Sequence, residues 1–266
     1  MQKFRVLSVL LFAVLFTLTV RYWNTPKTYQ SQFSGTTMGT VGYNVKVVSS
    51  EKLELKASID SCLVAFNESL STYIPSSEIS IFNKQDSLAF ENGLFYKILE
   101  KSKEVVDATD GAFDPTIGPL VNAWGFGPGN VPEAPDSTTV DSLLKFVDFQ
   151  QIEFNNRIVK KPTGIYLDMS AIAKGYAVDI VGELLENRGI LSYLVEIGGE
   201  VRVRGKNLEG ELWSIGIDDP LVSKEERNII SIVNLDNMSL ATSGNYRNYY
   251  EKDGKLFAHI IDPRTG

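Results

Sequence analysis

The chain changes texture near Leu191, and that change restricts its fold more than any other feature. Before it, apolar residues recur at helical spacing in long segments, so residues 51–70, 92–109 and about 171–187 are expected to be amphipathic helices. After it, short β-rich runs dominate, at 194–197, 201–204, 213–218, 229–234, 238–242 and 256–262. Gly198-Gly199, Asn207 to Gly210 and Asp253-Gly254 punctuate them. Helices first and strands later predict an α+β fold, a mixed α/β domain with a largely antiparallel sheet, rather than a doubly wound one. No Gly-x-Gly-x-x-Gly follows a strand and no phosphate-binding P-loop string occurs, so the usual dinucleotide folds have no support.

Smaller elements fill the pattern. A strand is expected at 41–48, and Gly111 is expected to cap the second helix. Short helices are expected at 119–124 and at 140–146, the latter entered from Ser137 or Thr138. Residues 152–154 and 158–160 flank Asn155-Asn156 as a hairpin, and 165–168 reads as a strand running into the third long helix.

Charge and rare residues limit the function classes. The net charge of -7 disfavours a nucleic-acid partner. One cysteine and one histidine exclude a Cys/His zinc cluster, so a bound metal must take oxygen ligands, as Mg²⁺ or Ca²⁺ does. Cys62 lies in the apolar row Leu55, Ile59, Cys62, Leu63, Phe66, Leu70 and reads as helix-core filler.

The N-terminus carries a targeting pattern. Lys3 and Arg5 precede an uncharged run from Val6 to Val20, followed by Arg21, Tyr22 and Trp23. Residues 1–23 are therefore expected to be a signal-anchor or signal segment, with the folded domain outside the cytoplasm. Residues 24–34 read as a linker and 35–266 as the folded domain.

Five polar and glycine-bearing segments stand out. They are Ser34-Gly-Thr-Thr-Met-Gly-Thr40, Gly111-Ala-Phe-Asp-Pro-Thr-Ile-Gly-Pro119, Leu167-Asp-Met-Ser-Ala-Ile-Ala-Lys-Gly175 and Glu196-Ile-Gly-Gly-Glu200. The fifth is Ala241-Thr-Ser-Gly-Asn-Tyr246 followed by His259-Ile-Ile-Asp-Pro-Arg-Thr-Gly266. Each alone is compatible with plain turn chemistry. In this order, the chain from about Ser34 to Gly266 resembles the ApbE-type FAD:protein FMN transferases. The resemblance implies Mg²⁺-dependent transfer of FMN from FAD to a Ser or Thr hydroxyl of a target protein, through a phosphoester bond, with release of AMP. It implies an acceptor that is a subunit of a membrane redox complex; from the N-terminal pattern, a place on the periplasmic side of the inner membrane is expected.

The resemblance also implies site residues. Met38, Tyr73, Ala112, Phe113, Asp114, Asp168, Lys174 and Ile260 fall on FAD-contact positions, and Ala171 on a position whose main-chain carbonyl is a metal ligand. Each has a plainer reading. Met38 and Ile260 suit a core, Tyr73 a half-buried surface, Asp114 an Asx turn, Asp168 a helix N-cap and Lys174 a solvated helix face. Tyr73 stacking would be worth about 1–3 kcal/mol. His259 is implied as the general base, since imidazole titrates near ~6.5 and can take a hydroxyl proton at neutral pH. Its plainer reading is a strand-end histidine bonded to backbone. Family members continue past the position of Gly266, and the later part carries acidic and hydroxyl metal ligands, so the span is expected to be C-terminally truncated. An FAD pyrophosphatase giving FMN and AMP, or a non-enzymatic flavin-binding protein, would use the same binding residues.

Overall fold

The computed structural model describes residues 27–128, 134–220, 222, 228–244, 249–252 and 254–266. The segment 1–23, expected as an anchor, lies outside them. Among the described residues, no helix is long and apolar enough to cross a membrane.

The central element is a five-stranded sheet. Its strands are β1 (Tyr29–Thr37), β2 (Val41–Ser49), β6 (Tyr193–Ile197), β7 (Glu200–Arg204) and β10 (Ser239–Leu240), in the order β1-β2-β6-β7-β10. Every pairing in it is antiparallel. The expected α+β class with a largely antiparallel sheet is therefore found. Strand β1 begins at Tyr29, inside the stretch expected as a linker. Its Phe33 is buried and its neighbours alternate outward, as a half-buried strand requires.

Alternation on β2 and β6 sets the layers. Tyr43, Val45 and Val47 of β2, with Tyr193, Val195 and Ile197 of β6, join the main core. That core also takes Ile59, Leu63 and Phe66 from α1 (Lys56–Leu70) and Ala177, Val181 and Leu185 from α6 (Ser170–Glu186). Leu194, Val201 and Val203 face the other way. There the antiparallel ribbon β8 (Trp213–Asp218) and β9 (Ile229–Leu235) supplies Trp213 and Leu235 to a second core. Strand β6 thus has apolar residues on both faces because both faces are covered.

Several boundaries differ from expectation for local reasons. The first helix starts at Lys56 rather than residue 51, with Leu55 at its N-cap, and upstream of it the Leu53 N–H donates to Ser31 Oγ at 3.1 Å. Helix α2 (Glu78–Lys84) was not anticipated; Ser77 caps it by accepting from Ser80 N at 3.2 Å. Helix α3 (Gly93–Thr109) is capped by Asn92 and ends on Asp110 in the left-handed region, one residue before the expected Gly111. Helix α4 is Gly118–Ala123, and α5 is Ser137–Leu144, capped by Asp136 rather than entered from Ser137 or Thr138. A three-stranded sheet, β3 (Ser87–Ala89), β5 (Ile158–Lys160) and β4 (Glu153–Phe154), contains the expected hairpin. The last ribbon is β11 (Tyr249–Lys252) with β12 (Lys255–Ala258), so the final strand ends well before residue 262.

Candidate functional site

The expected strand at 165–168 is absent as a strand. It makes one parallel bridge, Ile117 with Tyr166, and a side chain replaces the missing ladder. Asn83 Nδ2 donates to Leu167 O at 2.9 Å, and Leu167 N donates to Asn83 Oδ1 at 2.8 Å. The next residue, Asp168, is buried and donates its N–H to Pro115 O at 2.8 Å. Its Oδ1 accepts from Ser170 N at 2.7 Å and so holds the start of α6. The second and third sequence segments are thereby locked side by side.

Glycine makes that contact possible. A Cβ on Gly118 would lie 2.3 Å from Tyr166 Cδ1 and 2.6 Å from Tyr166 O. Tyr166 and Tyr73 flank Asp168 electrostatically. Burial raises the Tyr166 phenol above its ordinary range, and the charges of Asp168 and Tyr73 add to this. Tyr73 is mostly exposed, 66%, yet its phenol is also raised, first by desolvation and then by Asp168. Its exposure departs from the half-buried reading and leaves the ring open for stacking.

The remaining segments attach at α6 and the sheet end. Ala171 is exposed in the first turn of α6, between Ser170, held by Asp168, and Ile172 and Ala173, whose N–H groups donate to Met169 O at 2.9 and 2.7 Å. One turn on, Lys174 Nζ lies 3.0 Å from Glu200 Oε1 at the start of β7. The Gly198-Gly199 turn sits beside them, with Gly198 N donating to Gly42 O at 3.0 Å. Gly42 follows the Met38-Gly39 turn, in which both residues have positive φ. Met38 is partly buried and packs on the main core, as its plainer reading expects. Thr242 Oγ1 lies 4.0 Å from the Cβ position of Gly199, which brings in the fifth segment.

Ala112 is exposed and Phe113 packs partly on the core. Asp114 has the hydrogen bonds of its plainer reading. Its carboxylate is buried and committed to the chain: Oδ1 accepts from Thr116 N at 2.8 Å and Thr116 Oγ1 at 2.6 Å, and Oδ2 accepts from Phe149 N at 3.0 Å. This is the Asx turn, extended to the neighbouring loop. Asp114 also lines a groove of about 610 Å³ with Asp110, Asp148 and Arg264, so the second segment meets the last one there.

His259 and Ile260 follow β12. His259 is exposed and lies edge-on to Phe126, with ring centroids 6.3 Å apart. Phe126 meets Tyr250, which stacks on Phe257, which meets Trp124. Ile260 is 59% exposed rather than in a core. Asp262 and Arg264 form a two-pronged pair at 2.9 and 2.8 Å, and the Trp124 indole donates to Gly266 O at 2.8 Å. Among the described residues no group of three or more His, Cys, Asp or Glu side chains could hold a metal. At Ala171 only the main-chain carbonyl could serve a metal, since the side chain carries no donor atom.

Sequence reasoning missed Asn83, Tyr166 and the pairing of Glu200. Asn83 had a findable signal, the cap Ser77 followed by Ile79 and Phe82 at helical spacing, which places it on α2. Tyr166 and Glu200 carried none beyond their nearness to the quoted segments.

Known proteins match the whole arrangement. The ApbE family model matches residues 38–266. An FAD:protein FMN transferase of Vibrio cholerae is 39% identical over 246 residues, covering 89% of this chain and 72% of that protein. One of Haemophilus influenzae is 39% identical over 249 residues, covering 88% and 71%. The solved flavin transferase ApbE from Vibrio cholerae superposes with a TM-score of 0.77 at 36% identity, covering 90% of this chain and 78% of that one. The apo flavinyl transferase ApbE of Pseudomonas stutzeri gives 0.78 at 33% identity, covering 90% and 75%. Matched across nearly all of its folded length, the chain belongs to the ApbE family.

Proposed function

We propose that this protein is an FAD:protein FMN transferase that moves FMN from FAD onto a Ser or Thr hydroxyl of an acceptor protein. The observation that carries this reading is the joining of segments far apart in sequence: Pro115 to Asp168, Lys174 to Glu200, Gly42 to Gly198 and Trp124 to Gly266. The relatives named for this activity share the fold.

In this reading the acceptor oxygen attacks the FMN phosphorus of FAD. The new phosphoester P–O bond forms, the diphosphate P–O bond breaks and AMP leaves. His259 takes the hydroxyl proton as general base. Lys174 faces the diphosphate, Tyr73 and Ile260 offer exposed apolar surface to a ring, and Asp168 orders the start of α6 beside them. Mg²⁺ belongs to the proposal as the ion that neutralises diphosphate charge, with Ala171 O as one ligand and substrate oxygens and waters as others. The acceptor is proposed to be a subunit of a membrane redox complex. Residues 1–23 are proposed to anchor the enzyme on the periplasmic side of the inner membrane, from Lys3, Arg5, the apolar run and Tyr22-Trp23.

The test is incubation of the protein with FAD, Mg²⁺ and a candidate acceptor, read as flavin fluorescence on the denatured acceptor. Covalent flavin supports transfer. Free FMN and AMP without labelled acceptor would instead identify a pyrophosphatase, and bound FAD without turnover a flavin-binding protein.

A further inference from the structure

Glu200 Oε1 holds Lys174 Nζ at 3.0 Å, and its second oxygen is different in kind. Oε2 is buried and, among the described residues, has no hydrogen-bond partner. A carboxylate oxygen removed from water and left without a donor is costly, so this position calls for a donor that the described residues do not supply. The adjacent turn does not use it. Gly199 N donates to Glu196 Oε1 at 2.8 Å, so the turn is fixed by another carboxylate.

Only glycine fits beside this pair. Gly198 has φ +58, where side chains are rarely tolerated. A Cβ there would lie 2.7 Å from Val41 Cγ1, 3.4 Å from Lys174 Cδ and 4.0 Å from Glu200 Oε2. The bare glycine thus lies against the Lys174 stem and near the orphaned acceptor.

We infer that Glu200 is a specificity residue whose Oε2 accepts a hydrogen bond from a sugar hydroxyl of FAD, while Lys174 faces the neighbouring phosphate. The inference rests on the proposed transferase reading and adds a recognition contact to it. FAD carries hydroxyl donors close to phosphate in both halves, on the ribityl chain and on the ribose. A donor beside an anion matches an acceptor beside a cation. The amino group of adenine and the imide of the flavin are donors without an adjacent anion, and they match this pair less well. A free phosphate would meet the carboxylate unfavourably without a hydroxyl to satisfy it.

Calorimetric titration of the full chain with FMN and with ADP, separately, tests this. Glu200→Met keeps the side-chain length and removes the acceptor; Glu200→Ala serves as a second variant without it. One half-molecule is expected to bind roughly 10- to 100-fold more weakly to both variants while the other is unchanged. Loss for FMN places the contact on the ribityl chain, and loss for ADP places it on the ribose. Glu200→Gln, which restores a neutral acceptor, is expected to recover part of the lost affinity. Unchanged binding of both halves, or equal loss of both, would overturn the contact. A parent chain whose binding depends on Glu200 but which labels no acceptor would sink the transferase reading and leave this contact standing.

Discussion

Asn83 grips Leu167 by both its N–H and its C=O, at 2.8 and 2.9 Å, across 84 residues of sequence. Leu167 is fully buried, so its backbone polar groups have no recourse to water. Asn83→Ala is expected to destabilise the fold by about 2–4 kcal/mol, since two buried groups lose their partners. FAD affinity should fall as well, because Asp168 is the next residue. Chemical denaturation and flavin titration measure the two effects, and a neutral result in both would contradict the clamp.

Asp114 should behave as a structural residue. Asp114→Ala strands the N–H groups of Thr116 and Phe149 and the Thr116 hydroxyl, so a loss of about 3 kcal/mol or more is expected. The folded fraction should bind FAD as the parent does. An unchanged melting temperature with weakened FAD binding would return Asp114 to the ligand-contact role that the family resemblance implies.

Acid should weaken the junction of α6 with the sheet. The Tyr193 hydroxyl donates to Glu186 at 2.6 Å, and with Arg204 and Arg202 it holds the Glu186 carboxyl below its ordinary value of 4.5. A carboxyl depressed in the folded state contributes stability above its unfolded pKa and loses it as pH falls through the folded one. Stability is therefore expected to drop below about pH 4.5. Glu186→Gln should flatten that part of the profile in urea melts taken across pH. A parallel, undiminished acid limb in the variant would assign the effect to other carboxylates.

His259→Ala tests the proton transfer. Flavin transfer should slow by about 10²–10⁴-fold with FAD binding nearly intact. Because His259 meets Phe126 at a ring edge rather than lying in a core, the melting curve should move little. Transfer at the parental rate would remove it from the mechanism.

The long helices and the main sheet were legible because their burial is periodic: Ile59, Leu63 and Phe66 face one way in α1, and Val45 and Val47 in β2. What was not legible depends on single side chains acting over long sequence distances. Residues 165–168 have a strand's composition, yet Asn83 satisfies Leu167 in place of a neighbouring strand. Strand β1 was hidden because its outward residues are Ser, Gln and Thr, which also suit a linker, and only Phe33 and Thr37 are buried. The candidate site was legible as a set of segments from family resemblance. The hydrogen bonds of Asp114 and the pairing of Glu200 with Lys174 needed three dimensions, since both depend on which oxygen already has a donor.

The indole of Trp124, bonded to Gly266 O and packed against Phe257, gives the molecule an optical gauge of its own. Trp213 is buried in the second core with its indole donating to Arg204 O, and Trp23 is the third tryptophan of the chain. Replacing Trp23 and Trp213 by Phe would leave Trp124 as the sole tryptophan, next to the ring that leads through Tyr250 and Phe126 to His259. Its emission would then follow the docking of the last ribbon in real time, while the flavin's own absorption marks arrival of the dinucleotide.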